Sequence, residues 1–512
     1  MSGDMTAAEH RRHAEVRQRV RQLYAAIENL VKRHGIHQFL MTATTILRKS
    51  FGDASMMTKW PPHRIIHAME ACCAYSRMTQ YDEITYNRLA KLMNLYHEYL
   101  DPLQQDALKN NLDHFVRLLY REQMELQHQQ SQDAIARDLT LYATDESLPK
   151  SARSFVEQFG LTPFQWIKLS FLSAVAAEKE PAGLFKIHSV PSFEKLDMPE
   201  SAVMNYFRLS SRTPAQIGRY FKETRPIGRE YFYSSVGSVF LETPFIRFDE
   251  ETALAPLTSL VFRHSGQGLY RLMREIDSFD DEISTGFERY VEKVLNCFES
   301  KVSIHSAKAL QRYAPGKNAD FLVELEDEIL VVECKATSST ARDLTENALD
   351  TDTATRKLAK GIIQLYTSAH DLEAGIFGKL GVDRRKPVTG AVVTLGEVVH
   401  ANSRWFFDKF VLAKAEPKLK EPIYPSSKMP RLPVAMSISV LERLVMACNV
   451  LSSTPGTLYD AKEHTHYWLE GDWDQFLNKR LQESNLPITG LAFLADQKSR
   501  LLESLGIADW QE

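Results

Sequence analysis

Asp320, Glu333 and Lys335 lie in NADFLVELEDEILVVECKA, Asn318 to Ala336, a stretch of two apolar runs around an acidic turn. Charged residues are unexpected where strands should be buried. If Glu326 and Asp327 form a two-residue turn, position numbers across the hairpin sum to about 653, and Asp320 faces Glu333. Strand side chains alternate, so Lys335 shares a face with Glu333, Val331 and Ile329, while Cys334 points the other way. Two facing carboxylates repel each other, and one ammonium neutralises only part of that. The arrangement costs stability unless something binds. Two carboxylates and a backbone carbonyl, that of Cys334, suit a hard divalent cation such as Mg²⁺ or Mn²⁺. The ammonium could then orient a water and stabilise charge on a phosphate. A surface hairpin with all charges in water would account for Glu326, Asp327 and Glu328. It would not account for Glu333 and Lys335, which close the apolar run.

The flanking segments predict what positions these groups. In GFERYVEKVL, Phe287, Tyr290, Val291, Val294, Leu295 and Phe298 form one apolar arc on a helix; Glu288 borders the arc and Glu292 lies toward solvent. Thr285 and Glu288 also have the spacing of a capping box, which would make Glu288 a helix-start residue instead. After the hairpin, periodicity predicts a helix over about 353–372. Lys357, Lys360 and Gln364 share one stripe of it, opposite Leu358, Ile362 and Leu365. Tyr366 falls on the apolar side and should pack.

Farther from the hairpin, residues 8–178 read as helices, and 196–222 as two short helices with Thr213 and Pro214 opening the second. A helix-turn-helix is one reading of that pair. Residues 229–250 are β-prone, and strands are expected at about 301–309, 320–326 and 329–336, with another at GAVVTLGE. This divides the chain into a helical domain (1–185), a small β-containing connector (186–270), an α/β core (271–400) and a C-terminal helical extension (401–512).

The pattern of Asp320, a strand ending in Glu333-Cys334-Lys335, and a preceding helix carrying Glu288 resembles the PD-(D/E)XK phosphodiesterase superfamily. The likeness covers roughly 280–400, and Ala319 stands where the name-giving Pro would be. It implies a restriction-endonuclease-like core preceded by a mostly α-helical domain. It also implies metal ligation by Asp320, Glu333, Glu288 and the Cys334 carbonyl, and a water positioned by Lys335. Family members often place a Gln or Lys on the helix after the hairpin, facing the site. Gln364 would hold a water or a phosphate, and Lys357, Lys360, Arg384, Arg385 and Lys386 would contact nucleic acid. The expected activity is Mg²⁺-dependent endonucleolytic hydrolysis of DNA, although no residue separates DNA from RNA. The alternatives are an inactive nuclease-like binding module and a structure-specific repair nuclease. A large helical companion without a motor resembles bacterial antiviral defence effectors, in which the helices would answer a trigger or partner. Double-strand cleavage favours a homodimer.

Composition narrows the class. With 44% hydrophobic and 25% charged residues and a net charge of −4, the chain is of ordinary globular type, and only a local basic patch could meet phosphates. Such a patch runs from Arg384 to Arg431, with ten Lys or Arg against four Asp or Glu, and includes Trp405, Phe406, Phe407 and Tyr424. RWFFDKFVLAK within it reads equally as a buried helix. Five scattered cysteines suggest reduced thiols. No apolar run reaches membrane-span length and no apolar signal segment opens the chain, so a cytoplasmic protein is the expectation. His464 and His466 lack a third ligand nearby, and HSGQG (264–268) lacks a phosphate-loop pattern and reads as a turn.

Overall fold

The computed structural model describes residues 7–51, 53–77, 83–110, 132–144, 148–189, 198–224, 238–299, 302–314, 316, 318–338, 353–398, 402, 429, 431–462, 471–486 and 490–506. Contacts divide the chain into two units. One comprises Met1–Asp138, Ala152–Glu275 and Leu501–Glu512; the other comprises Leu139–Ser151 and Ile276–Arg500. No helix among the described residues is long and apolar enough to cross a membrane.

The first unit is mostly helical. Helices Ile36–Ser50 and Pro62–Tyr75 pack together, and the latter is buried on nearly every side. The expected pair of short helices is present as Glu200–Ser210 and Pro214–Thr224. The second opens on a reciprocal cap, in which the Thr213 N–H reaches Gln216 Oε1 at 2.8 Å and the Gln216 N–H reaches Thr213 Oγ1 at 3.3 Å. Four short strands, β1 (Leu184–Lys186), β2 (Ser211–Arg212), β3 (Phe245–Arg247) and β4 (Thr252–Leu254), form a mixed sheet ordered β1-β4-β3-β2. The β-prone stretch supplies β3; its residues 229–237 lie outside the described set. HSGQG, which the sequence reads as a turn, lies within helix. It is a buried π-helical turn, in which Gly266 and Gly268 leave room for the Asp138 carboxylate and the His264 ring.

The second unit is built on a five-stranded mixed sheet, ordered β5-β6-β7-β8-β9. A leading helix, Phe279–Leu295, precedes β5 (Ser303–Ser306), β6 (Phe321–Glu324) and β7 (Ile329–Lys335), which pair antiparallel in sequence. A crossover helix, Thr353–Glu373, returns the chain to β8 (Val388–Thr394), parallel to β7. A parallel strand needs such a long return. The segment expected as a purely helical extension instead contributes β9 (Val434–Ser437), parallel to β8, before its helices begin.

Alternation gives this sheet two buried faces. Leu322, Ile329, Val331, Val388, Val392 and Ala435 share a core with Leu358, Ile362, Leu365 and Tyr366 of the crossover helix. Phe321, Val323, Leu330, Val332 and Cys334 are buried on the other face, where the leading helix packs on β7 and helix Ile438–Leu451 on β8 and β9. Sheets covered on both faces have strands that read as continuous apolar runs, as ILVVECK and VTGAVVT do.

Candidate active site

The hairpin has the register that its two-residue turn predicts. Phe321 pairs with Val332 and Leu322 with Val331, so the position numbers sum to 653. The Leu325 N–H bonds to the Glu328 carbonyl at 2.9 Å across Glu326 and Asp327. One step beyond the last ladder pair, Asp320 faces Glu333. The Cys334 N–H donates to Asp320 Oδ2 at 2.7 Å and fixes that carboxylate across the strands. In an antiparallel pair the N–H and C=O of one residue face the same neighbour, so the Cys334 carbonyl also lies on the Asp320 side. Its thiol is buried on the far face.

Glu333 is 1% exposed, and its Oε2 has no hydrogen-bond partner among the described residues. Its Oε1 accepts from the Lys335 ammonium, which also donates to Gln364 Oε1 at 3.0 Å. Burial, then the Asp320 carboxylate, push the Glu333 carboxyl up to about 8; Lys335 opposes this and Glu288 adds to it. Burial raises Asp320 too, against the pull of the Cys334 N–H and Lys335. Half-buried Glu288 is raised by burial and then by Asp320, and lowered by Lys335, so its carboxyl lies within electrostatic reach of both. The helix carrying it starts at Phe279, and Thr285 Oγ1 bonds back to the Asp281 carbonyl at 3.4 Å. Thr285 is therefore a mid-helix residue, which removes the capping-box alternative. Phe287, Tyr290, Val291, Val294, Leu295 and Phe298 are all buried, as the apolar arc predicts, and Glu292 is exposed.

The crossover helix closes over this end of the sheet. Gly361 lies above Glu333 and Val392, where an added Cβ would stand 3.3 Å from Glu333 Cγ and 3.0 Å from a Val392 methyl. Only glycine allows that approach without a shift of the neighbours. One turn on, Gln364 Nε2 donates to the Asn318 carbonyl at 3.1 Å while its Oε1 receives Lys335. Both ends of the amide are engaged within the protein. Gln364 thus bridges Lys335 and the start of β6, alongside the water- or phosphate-holding role that the sequence suggests for it. Ser368, a further turn along, accepts the Ala319 N–H at 2.8 Å. Sequence reasoning missed Asn318 and Ser368; continuing the Lys357–Lys360–Gln364 stripe by one more turn would have reached Ser368.

No protein-family model, curated protein or solved structure matches the chain. The geometry alone carries the reading. Among the described residues no three His, Cys, Asp or Glu side chains form a closed ligand group. The constellation is two facing carboxylates, one with an unpartnered buried oxygen, Glu288 within electrostatic reach and an ammonium between strand and helix. Oxygen donors of this kind fit a hard divalent cation, which would offset the burial that raises all three carboxyls and the repulsion by Asp320 that adds to it at Glu333 and Glu288.

The other expected contacts separate. Lys360 is exposed and Lys357 half-buried on the first turns of the crossover helix, at the carboxylate end of the sheet. Arg384, Arg385 and Lys386 precede β8 and lie at the opposite, turn end. There Arg385 pairs with Asp383 at 2.9 Å, and Lys386 Nζ with Glu324 Oε1 at 2.9 Å. Glu328, which a surface hairpin would place in water, is buried; it accepts the Gly456 N–H at 2.8 Å and the Thr389 hydroxyl at 3.2 Å. Trp405, Phe406, Phe407 and Tyr424 of the basic stretch, and His464 and His466, lie outside the described residues. All five cysteines are free thiols.

Proposed function

We propose that this chain is a nuclease that hydrolyses DNA phosphodiester bonds with a divalent cation, Mg²⁺ or Mn²⁺. The observation that carries the reading is Glu333: a carboxyl almost wholly buried, facing Asp320, with one oxygen lacking a partner among the described residues. Only one of its oxygens is paired, with Lys335, and burial beside Asp320 disfavours the charged form, so the group costs stability that a bound cation would return. The order of helix, three antiparallel strands, crossover helix and parallel strand supports a restriction-endonuclease-like core, and with it the PD-(D/E)XK resemblance.

In this reading Asp320, Glu333, Glu288 and the Cys334 carbonyl hold the cation, which would supply Lewis-acid stabilisation of the phosphoryl oxygens. The Cys334 N–H keeps the Asp320 carboxylate turned toward Glu333. Lys335, released from Glu333 Oε1, orients the attacking water and offsets charge on the phosphate. Gln364 stops the ammonium from swinging away, and the crossover helix excludes bulk water from Glu333. Two copies of the chain would supply the two sites that double-strand cleavage needs, and the helical unit would answer a trigger.

Incubation of the full chain with plasmid DNA and Mg²⁺ tests the proposal. Wild type should nick or linearise the plasmid, and EDTA should stop it. Glu333→Ala and Lys335→Ala should lower the rate by about a hundredfold or more. Equal behaviour of wild type and both variants would leave a non-catalytic binding module as the better account.

A further inference from the structure

We infer that the carboxylate end of the five-stranded sheet is flanked by a track for a phosphodiester backbone, formed by Lys308 and Arg312 beside β5 and by Arg356 and Lys360 on the first turns of the crossover helix. The inference rests on the nuclease reading and adds to it the residues that seat the substrate. Lys308, Arg312 and Arg356 are not signalled by the sequence pattern.

The topology brings these four to one end. Ser306, the last residue of β5, pairs with Phe321, so the short helix Ala307–Leu310 starts beside Asp320. Leu310 and Ala314 anchor this segment in the core beneath the crossover helix, which leaves Lys308 and Arg312 exposed at the rim. The crossover helix has Gly361 above Glu333, whereas Leu365 meets Gly390, the partner of Val331 further down the strand. The helix therefore runs from the carboxylate end toward the turn end. Arg356 and Lys360, which precede Gly361, are exposed at the carboxylate end.

Their charge is unspent. Lys308, Arg312 and Lys360 have no carboxylate partner among the described residues, and Arg356 reaches only the Thr353 hydroxyl at 3.4 Å. At the turn end the pattern is different: Lys386 is held by Glu324, Arg385 by Asp383 and Arg431 by Asp460. A polyanion approaching Asp320, Glu333 and Glu288 is repelled, and a chain of net charge −4 offers no global attraction. Cations without a carboxylate partner among the described residues, gathered at the carboxylate end, supply the local attraction that the site needs. The shared chemistry is a phosphodiester backbone, of DNA or of RNA.

The test is the salt dependence of binding by the full chain in EDTA, where cleavage is blocked. The probes are a short fluorescein-labelled DNA duplex and a labelled single-stranded RNA. Lys308→Gln with Arg312→Gln, and separately Arg356→Gln with Lys360→Gln, should each lower the slope of log affinity against log salt by about 1.8 for duplex DNA. This corresponds to about 0.9 for each phosphate that is no longer neutralised. Exposed Lys379, on the turn side, serves as control: Lys379→Gln should leave the slope unchanged. Thermal unfolding checks that each variant keeps its fold. A reduced slope on one probe only still supports the track and names the nucleic acid. If wild type binds and both pairs keep its slope, the track is overturned. If the plasmid is also cleaved in Mg²⁺, the nuclease reading survives that failure. Binding to neither probe overturns the track, and absence of cleavage as well overturns the reading beneath it.

Discussion

Glu333 and its neighbours tie function to stability at the scale of single residues. In the unfolded chain a Glu titrates near 4.5, whereas burial and Asp320 hold the folded Glu333 carboxyl up to about 8. Between those values the folded state keeps a proton that the unfolded state has lost. Stability without cation therefore falls as pH rises through this window, by up to about 1.4 kcal/mol per pH unit. Thermal unfolding in EDTA should show this carboxyl lowering the melting temperature from about pH 4.5 to about pH 8 in wild type, a contribution lost in Glu333→Gln. Mg²⁺ should restore part of the loss, since a ligand that binds only the folded state stabilises it. Identical pH slopes in the two proteins would contradict the buried, crowded state of this carboxyl. Gln364 gives a second prediction. Gln364→Leu removes the amide that holds Lys335 and the Asn318 carbonyl, and should lower kcat by about a hundredfold with little change in KM. Steady-state cleavage kinetics separate the two constants; a change confined to KM would instead mean that Gln364 touches the substrate.

Helices and strands explain why part of this site can be read from the sequence and part cannot. The hairpin register follows from alternation and a two-residue turn, both local, so Asp320 opposite Glu333 is legible in the sequence alone. The crossover helix is likewise foreseen at about 353–372 and found at Thr353–Glu373, because its apolar stripe is long and regular. What stays hidden depends on distant partners. Glu328 looks like a turn charge until Gly456, far along the chain, brings its N–H to the carboxylate. β9 is four residues long and runs straight into the apolar helix Ile438–Leu451, so no period-2 signal sets it apart. Lys386 gives no local sign in the sequence that Glu324, on another strand, will engage it. Two glycines test the element packing. In Gly361→Ala the gain in helix propensity, about 1 kcal/mol, is set against a methyl pressed on Val392 and Glu333. Stability should change little while cleavage falls. In Gly456→Ala the methyl takes the place of a Glu328 carboxylate oxygen, and the disrupted charged hydrogen bond should cost about 2 kcal/mol or more. Urea unfolding distinguishes the two; equal destabilisation would contradict the assignment of Gly361 to the site and Gly456 to the scaffold.

Across the whole molecule, the two units carry opposite sensitivities to pH. Burial lowers His63 to about 3 and His264 well below its ordinary value, and Arg64 and Arg271 add to the respective effects. As pH falls below about 6.5 the unfolded chain gains protons that these folded histidines refuse, so the helical unit loses stability toward acid. The unit that carries Glu333 loses it toward alkali. Calorimetry in EDTA should therefore show acid destabilisation of the helical unit that is reduced in His264→Phe; an unchanged acid limb in this variant would contradict the burial of the imidazole. The central claim is that Asp320 and Glu333 together hold one divalent cation. Its most direct test is a titration of the full chain with Mn²⁺, followed by the electron paramagnetic resonance signal of the free ion. Wild type should remove one Mn²⁺ per chain at a site that either Asp320→Asn or Glu333→Gln abolishes. Equal uptake by wild type and both variants would contradict it.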